Sequence, residues 1–323
     1  MVIAILASLL VVPVGLSYVV EGLRSAPTPP ATLSWAPDIP IRHVTVNGVN
    51  LRYIRVGQGQ PLVLLHTLRT QLDMFQKVIP ELSRHFEVYA LDYPGHGFSD
   101  IPNVEYTAEL FVNSVAEFLE QMNVENAVVC GESIGGTIAL VLAARHNPRV
   151  ERVIAINPYD YDEGRGLRRS SGIANVIFGL NDVPLVGSTV QRLRQYQIFQ
   201  KVMEGGVYHK EALPSSLLRE MYEVGNRPHH YRAFMSLVSH WPDWEKARAE
   251  YVHIEVPSLL IYGEHDWSRP DERQANQRAI PGAQAAIVQQ AGHFLSLDAP
   301  EALIRHVLDF SHAGPIPPEP GPS

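Results

Sequence analysis

"VVCGESIGGTIAL", residues 128–140, sets a serine at the boundary between two apolar elements. The β-rich run stops at Cys130, glycines flank the serine in Gly131-Glu132-Ser133-Ile134-Gly135, and a helix-forming run follows from Gly136. Glycines have no Cβ, so a strand and a helix joined here approach closely and the chain turns sharply, which pushes the Ser133 hydroxyl outward. The helix that follows points backbone N–H groups and the positive end of its dipole at whatever sits near that hydroxyl. A developing oxyanion is the natural occupant. G-x-S-x-G alone matches many proteins by chance, so its weight comes from its place between a buried strand and a helix.

Working outward, the pattern alternates. "HVTVNGVNLRYIRVG" is two β-rich runs broken by Asn47-Gly48, a hairpin signal. "PLVLLH" and "FEVYALD" read as strands around a helical "DMFQKVIPELSRH", and "TAELFVNSVAEFLEQM" as a helix capped by Thr107, with Leu110, Val115 and Leu119 facing inward. "VERVIAIN", "PSLLIYG" and "AQAAIVQQ" supply later strands, and "EALIRHVLDFSH" closes the domain as a helix. Strands alternating with helices predict an α/β fold: a mostly parallel, doubly wound sheet of about eight strands with helices on both faces.

In such sheets ligands bind beyond the carboxyl ends of the strands, where Ser133 lies. A serine hydroxyl needs a base, and the base an orienting acid. The exit loop after "PSLLIYG" carries Asp266, and the loop after "AQAAIVQQ" carries His293. Glu264 and Asp160 are the alternative acids. Asp92 and Asp100 read as turn or cap residues, His96 as loop support, and His229 and His230 as surface or packing residues. No cluster has the spacing of a metal site, and no cofactor is expected.

Composition bounds the rest. Of the 323 residues, 46% are hydrophobic and 19% charged, which is globular rather than disordered. A net charge of −8 argues against nucleic acid as a partner. Cys130 is the only cysteine, which excludes an intrachain disulfide. Residues 1–20 contain no charged side chain, enough for a bilayer-spanning helix. They read as an uncleaved membrane anchor in preference to a cleaved signal peptide, which implies a membrane-anchored protein whose side the sequence does not fix, the extracytoplasmic side being slightly favoured, or a secreted one if the segment is removed. Residues 21–40 are a proline-rich spacer and residues 314–323 a disordered tail.

From about residue 42 to 312 the chain resembles α/β-hydrolase-fold proteins that carry a helical cap. The resemblance rests on "LVLLH", "LDYPGHGFSD", "CGESIGG", "LLIYGEHD" and "AGHFLSLDAPE", in that order. It implies Ser133 as nucleophile, His293 as general base and Asp266 as its orienter, with the backbone N–H groups of Ile134 and Leu68 as oxyanion donors. The family usually has His-Gly where this chain has His66-Thr67. A β-branched residue resists the positive φ that glycine permits, which predicts a different loop path. Arg69 in that loop is read as facing water, with an acidic substrate group as the alternative.

Residues 41–158 and 242–313 then form the core and residues 159–241 a helical cap. Phe178, Tyr196, Phe199 and Met235 are candidates for lining its pocket and equally for its own core. Haloalkane dehalogenases and epoxide hydrolases attack with an aspartate at the position of Ser133, so the resemblance implies acyl transfer to water instead. The expected substrate is a small, mainly apolar carboxylic ester, lactone or thioester. The alternatives are carbon–carbon hydrolysis of dienone ring-fission products and a non-catalytic binding protein.

Overall fold

The computed structural model describes the backbone of residues 2–312 and the side chains of residues 11–312; the expected tail lies outside these residues. Eight strands form one sheet: β1 (Arg42–Val46), β2 (Val49–Gly57), β3 (Pro61–Leu65), β4 (Glu87–Leu91), β5 (Ala127–Glu132), β6 (Val150–Ile156), β7 (Ser258–Gly263) and β8 (Gln284–Val288). Their order is β1-β2-β4-β3-β5-β6-β7-β8. The β1–β2 and β2–β4 pairs are antiparallel and all the others parallel. Asn47 and Gly48 both take positive φ, 50° and 79°, and set the Val46–Val49 register of the hairpin.

Alternation along β3 separates the two cores. Val63 and Leu65 pack into one, Leu62 and Leu64 into the other. The helices are α1 (Val2–Gly22), α2 (Ile79–Leu82), α3 (Ala108–Gln121), α4 (Ile134–Ala144), α5 (Gly172–Gly179), α6 (Val186–Arg192), α7 (Tyr196–Glu204), α8 (Ser215–Val224), α9 (His230–Ser239), α10 (Pro242–Ala247), α11 (Pro270–Ala279), α12 (Leu295–Asp298) and α13 (Pro300–His312). Phe111, Val115 and Phe118 of α3 and Ile138 of α4 cover the first face; Leu303, Val307 and Phe310 of α13 cover the second. Thr107 caps α3, accepting from the Leu110 N–H at 3.2 Å. The helix expected over "DMFQKVIPELSRH" is broken into a 3-10 turn, Leu72–Phe75, and the short α2. Pro80 has no N–H to donate and is tolerated only in a first turn, so a helix has to restart there.

Between β6 and β7 the chain leaves the sheet for an insert of helices, α5 to α10, of which α10 packs on the core through Trp244 against Phe111 of α3. Phe178, Phe199, Met203, Phe234 and Trp241 from this insert join the same core as α3 and α4. Their shared apolar contact holds the insert against the sheet.

The amino-terminal segment corrects an expectation. Among the described residues no helix is long and apolar enough to cross a membrane, so the anchored localisation and the membrane contact do not stand. The physical reason lies in what α1 touches. Arg192 of α6 donates to the Ser17 hydroxyl at 2.9 Å and stacks on Tyr18, and Arg194 pairs with Glu21 at 2.7 Å. Arg24 reaches the carbonyls of Arg192 and Arg194 and the side chain of Asn226. A polar seam with the helical insert occupies this face of the segment. The proline-rich stretch after it lies along the domain, with Leu33 buried and the Trp35 indole donating to Asp73 at 2.7 Å.

Candidate active site

The site begins with a backbone constraint. A Cβ on Gly131 would stand 2.0 Å from the Gly135 carbonyl oxygen, and one on Gly135 would stand 2.1 Å from that of Leu65. No larger residue fits either position, so β5, α4 and the end of β3 pack together only with glycines there. Ser133 sits between them at φ 61° and ψ −120°, a strained conformation for a residue with a side chain. Its N–H donates to Ile156 O at 2.8 Å, and its carbonyl accepts from Thr137 and Tyr159, each at 3.2 Å. The hydroxyl makes no cap to α4. It faces His293 instead.

His293 Nε2 lies 2.9 Å from Ser133 Oγ, and His293 Nδ1 makes a short hydrogen bond to Asp266 Oδ1. With Nδ1–H donating to the carboxylate, Nε2 is the acceptor for the serine proton. Burial works against the Asp266 charge, but His293 and the hydroxyl and N–H of Ser268 outweigh it and hold the carboxyl below its usual value. The structure thus brings Ser133, His293 and Asp266 into one hydrogen-bonded chain. Glu264 points elsewhere and accepts from the Gln290 N–H. Asp160 is buried with partners of its own, accepting from Tyr251 at 2.8 Å and Asn276 at 2.6 Å.

The path of the loop after β3, where the second oxyanion donor is expected, follows from His66. Burial lowers its pKa to about 3, so the ring is neutral. Its Nε2 accepts from the Tyr93 N–H at 3.4 Å, which leaves Nδ1–H to donate to the Thr67 carbonyl at 2.7 Å. The Thr70 hydroxyl donates to the same oxygen at 2.8 Å. A peptide is planar and trans, so fixing the Thr67 C=O aims the Leu68 N–H the opposite way. Neither that N–H nor the one of Ile134, at the first turn of α4, has an acceptor among the described residues. The left-handed residue of the loop is Arg69, φ 55°, and not Thr67. Thr67 therefore replaces glycine without strain.

A cavity of about 260 Å³ opens beside these groups, bounded by Thr67, Leu68, Trp267 and Phe294 on the sheet side and by residues of α5, α6, α7 and α9 above. Phe178 and Phe199 line it as expected; Tyr196 and Met235 do not, and Tyr196 packs on Tyr222 instead. Ser133 and His293 are themselves fully covered. Arg69 also departs from expectation: its guanidinium turns into the cavity over Phe199 and Phe234.

Several contributors were not legible beforehand. The Trp267 ring stacks on His293 with centroids 3.7 Å apart. Asn157 donates to the carbonyls of Gly292 and His293 and accepts from the Gly263 N–H at 2.9 Å, which ties the ends of β6, β7 and β8 together. Glu132, buried beside Ser133, accepts twice from Ser296, and burial raises its pKa to about 7 despite those bonds. Adjacency to Asp266 hinted at Trp267; nothing local marked Asn157.

A mostly parallel sheet with a glycine-flanked serine turn after β5, an aspartate after β7 and a histidine after β8 matches the architecture of a hydrolase fold. The family model for the alpha/beta hydrolase fold matches residues 60–300, and the chain belongs to that family. It is 28% identical to an uncharacterized hydrolase of Bacillus subtilis over 84% of this chain and 97% of the relative. It is 26% identical to the 2-hydroxy-6-oxo-2,4-heptadienoate hydrolase of Pseudomonas putida over 83% of this chain and 95% of that one. Among solved structures, the enol-lactonase from Burkholderia xenovorans LB400 superposes with a TM-score of 0.68 at 26% identity, over 84% of this chain and all of that one, 100%.

Proposed function

We propose that the chain is a serine hydrolase that cleaves a carboxylic ester or lactone through an acyl-enzyme on Ser133. The observation that carries this reading is the unbroken line Ser133–His293–Asp266 beside a mainly apolar cavity. Ser133 Oγ attacks the carbonyl carbon as His293 Nε2 takes its proton, and Asp266 keeps the imidazolium in place. The tetrahedral oxyanion is held by the Ile134 and Leu68 N–H groups. The C–O bond to the leaving group breaks as His293 returns the proton to the departing oxygen. A water, deprotonated by the same nitrogen, then frees the acid and restores Ser133. Because Ser133 is covered, substrate entry displaces an apolar side chain at the cavity edge.

Carbon–carbon hydrolysis is the second reading, favoured by the names of relatives such as the Pseudomonas putida hydrolase. A short-chain chromogenic ester and a dienoate, followed side by side, separate the two. Ser133→Ala is expected to lower ester turnover by about 10⁴-fold or more. Wild-type protein that turns over the dienoate but no ester moves the assignment to the second reading. Turnover of neither leaves a binding protein.

A further inference from the structure

We infer that Arg69 is a specificity-determining residue that selects substrates carrying a carboxylate at the far end of the acyl chain. The inference rests on the serine-hydrolase reading for the reaction and on four separate observations for the charge. Arg69 follows Leu68 directly and lines the same cavity, so a group bound to it belongs to the molecule presented to Ser133. Its backbone is left-handed, φ 55°, an uncommon state for a residue with a long side chain. Its guanidinium lies 5.4 Å and 4.7 Å from the ring centres of Phe199 and Phe234. Gly225 leaves room beside it, since a Cβ there would stand 3.2 Å from Arg69 Nη2.

The charge has no counterpart. Arg69 Nε is buried without a hydrogen-bond partner, and no ion pair to this guanidinium exists among the described residues. Its neighbours are cationic: Arg194 and Arg24 share Glu21, the one carboxylate beside them. Arg194 also lines the cavity, but it is spent on Glu21, the Gly225 carbonyl and the Gln191 carbonyl. Burial and then Arg194 push the Arg69 pKa down to about 9. Three arginines against one carboxylate leave a surplus positive charge beside an apolar cavity that Arg69 itself lines. A planar, always-ready fork of donors is what a carboxylate binds in bidentate fashion. The aromatic rings hold the fork in place, which lowers the entropy lost on binding.

The test uses the full chain and two esters of matched length, para-nitrophenyl hexanoate and the mono-para-nitrophenyl ester of adipic acid. The wild type is expected to favour the adipate monoester in kcat/KM, chiefly through KM. Arg69→Gln lowers the adipate-to-hexanoate ratio by about 10- to 100-fold, the range for a charge-assisted hydrogen bond, and Arg69→Lys restores part of it. A ratio unchanged by Arg69→Gln, or a wild type that favours hexanoate, overturns the inference. Binding gives an answer independent of turnover. Monomethyl adipate titrated calorimetrically into Ser133→Ala and into Ser133→Ala/Arg69→Gln should bind at least about tenfold more weakly to the second. Equal affinities sink the role of Arg69. Undiminished ester turnover by Ser133→Ala sinks the hydrolase reading and leaves that of Arg69 to the titration.

Discussion

The two sides of the loop from His66 to Arg69 settle an arginine in opposite ways. Behind the loop, Arg52 Nε donates to Asp92 at 2.6 Å and Nη2 pairs with Asp73. Burial works against that charge, but the two carboxylates outweigh it and raise the pKa above the usual arginine value. Asp92 also accepts from the Leu72 and Phe98 N–H groups, at 2.7 and 2.8 Å, so one ion pair pins two loops. In front of the loop, Arg69 has rings beneath it and no ion-paired carboxylate among the described residues, and burial lowers its pKa. The same residue type is scaffold in one place and an unmet charge in the other. A fold tolerates such a cost where a ligand relieves it.

Breaking the first pairing should have the larger effect. Asp92→Ala leaves Arg52 with Asp73 as its one carboxylate partner and also orphans two backbone donors. The expected loss is about 3–5 kcal/mol of stability, the usual result of removing one partner of a buried pair, read from urea unfolding midpoints. Removing the unmet charge should change the sign: Arg69→Leu is expected to stabilise the unliganded protein by about 1 kcal/mol in the same measurement. If Arg69→Leu destabilises as strongly as Asp92→Ala, the contrast between the two sites is lost.

Much of this was readable in the chain. Asn47-Gly48 fixed the hairpin because a two-residue turn with positive φ admits few residue types. Gly131 and Gly135 marked the tight strand-to-helix turn at Ser133 because strand and helix approach too closely there for a Cβ. Asp266 and His293 followed from the rule that ligands meet the carboxyl edge of a parallel sheet. What failed was what depends on distant partners. Arg69 read as solvated because its cavity is walled by α7 and α9, more than a hundred residues further along. The stack of Trp267 on His293 and the ties made by Asn157 depend on how three strand ends meet. Residues 1–20 have the composition of a membrane span, but the arginines of residues 192–194 that engage Ser17 and Glu21 cannot be anticipated from it. Thr67 warned of a distorted loop; the left-handed turn falls two residues later, on Arg69.

The central claim is that the Ser133 alcohol is activated by His293. A fluorophosphonate, which esterifies an activated serine with loss of fluoride, tests it most directly when the adduct is located by peptide mass spectrometry. The expected outcome is one adduct per chain, on Ser133, with His293→Ala left unlabelled over the same period. Labelling of another residue, or labelling of Ser133 at the same rate in His293→Ala, would contradict the account.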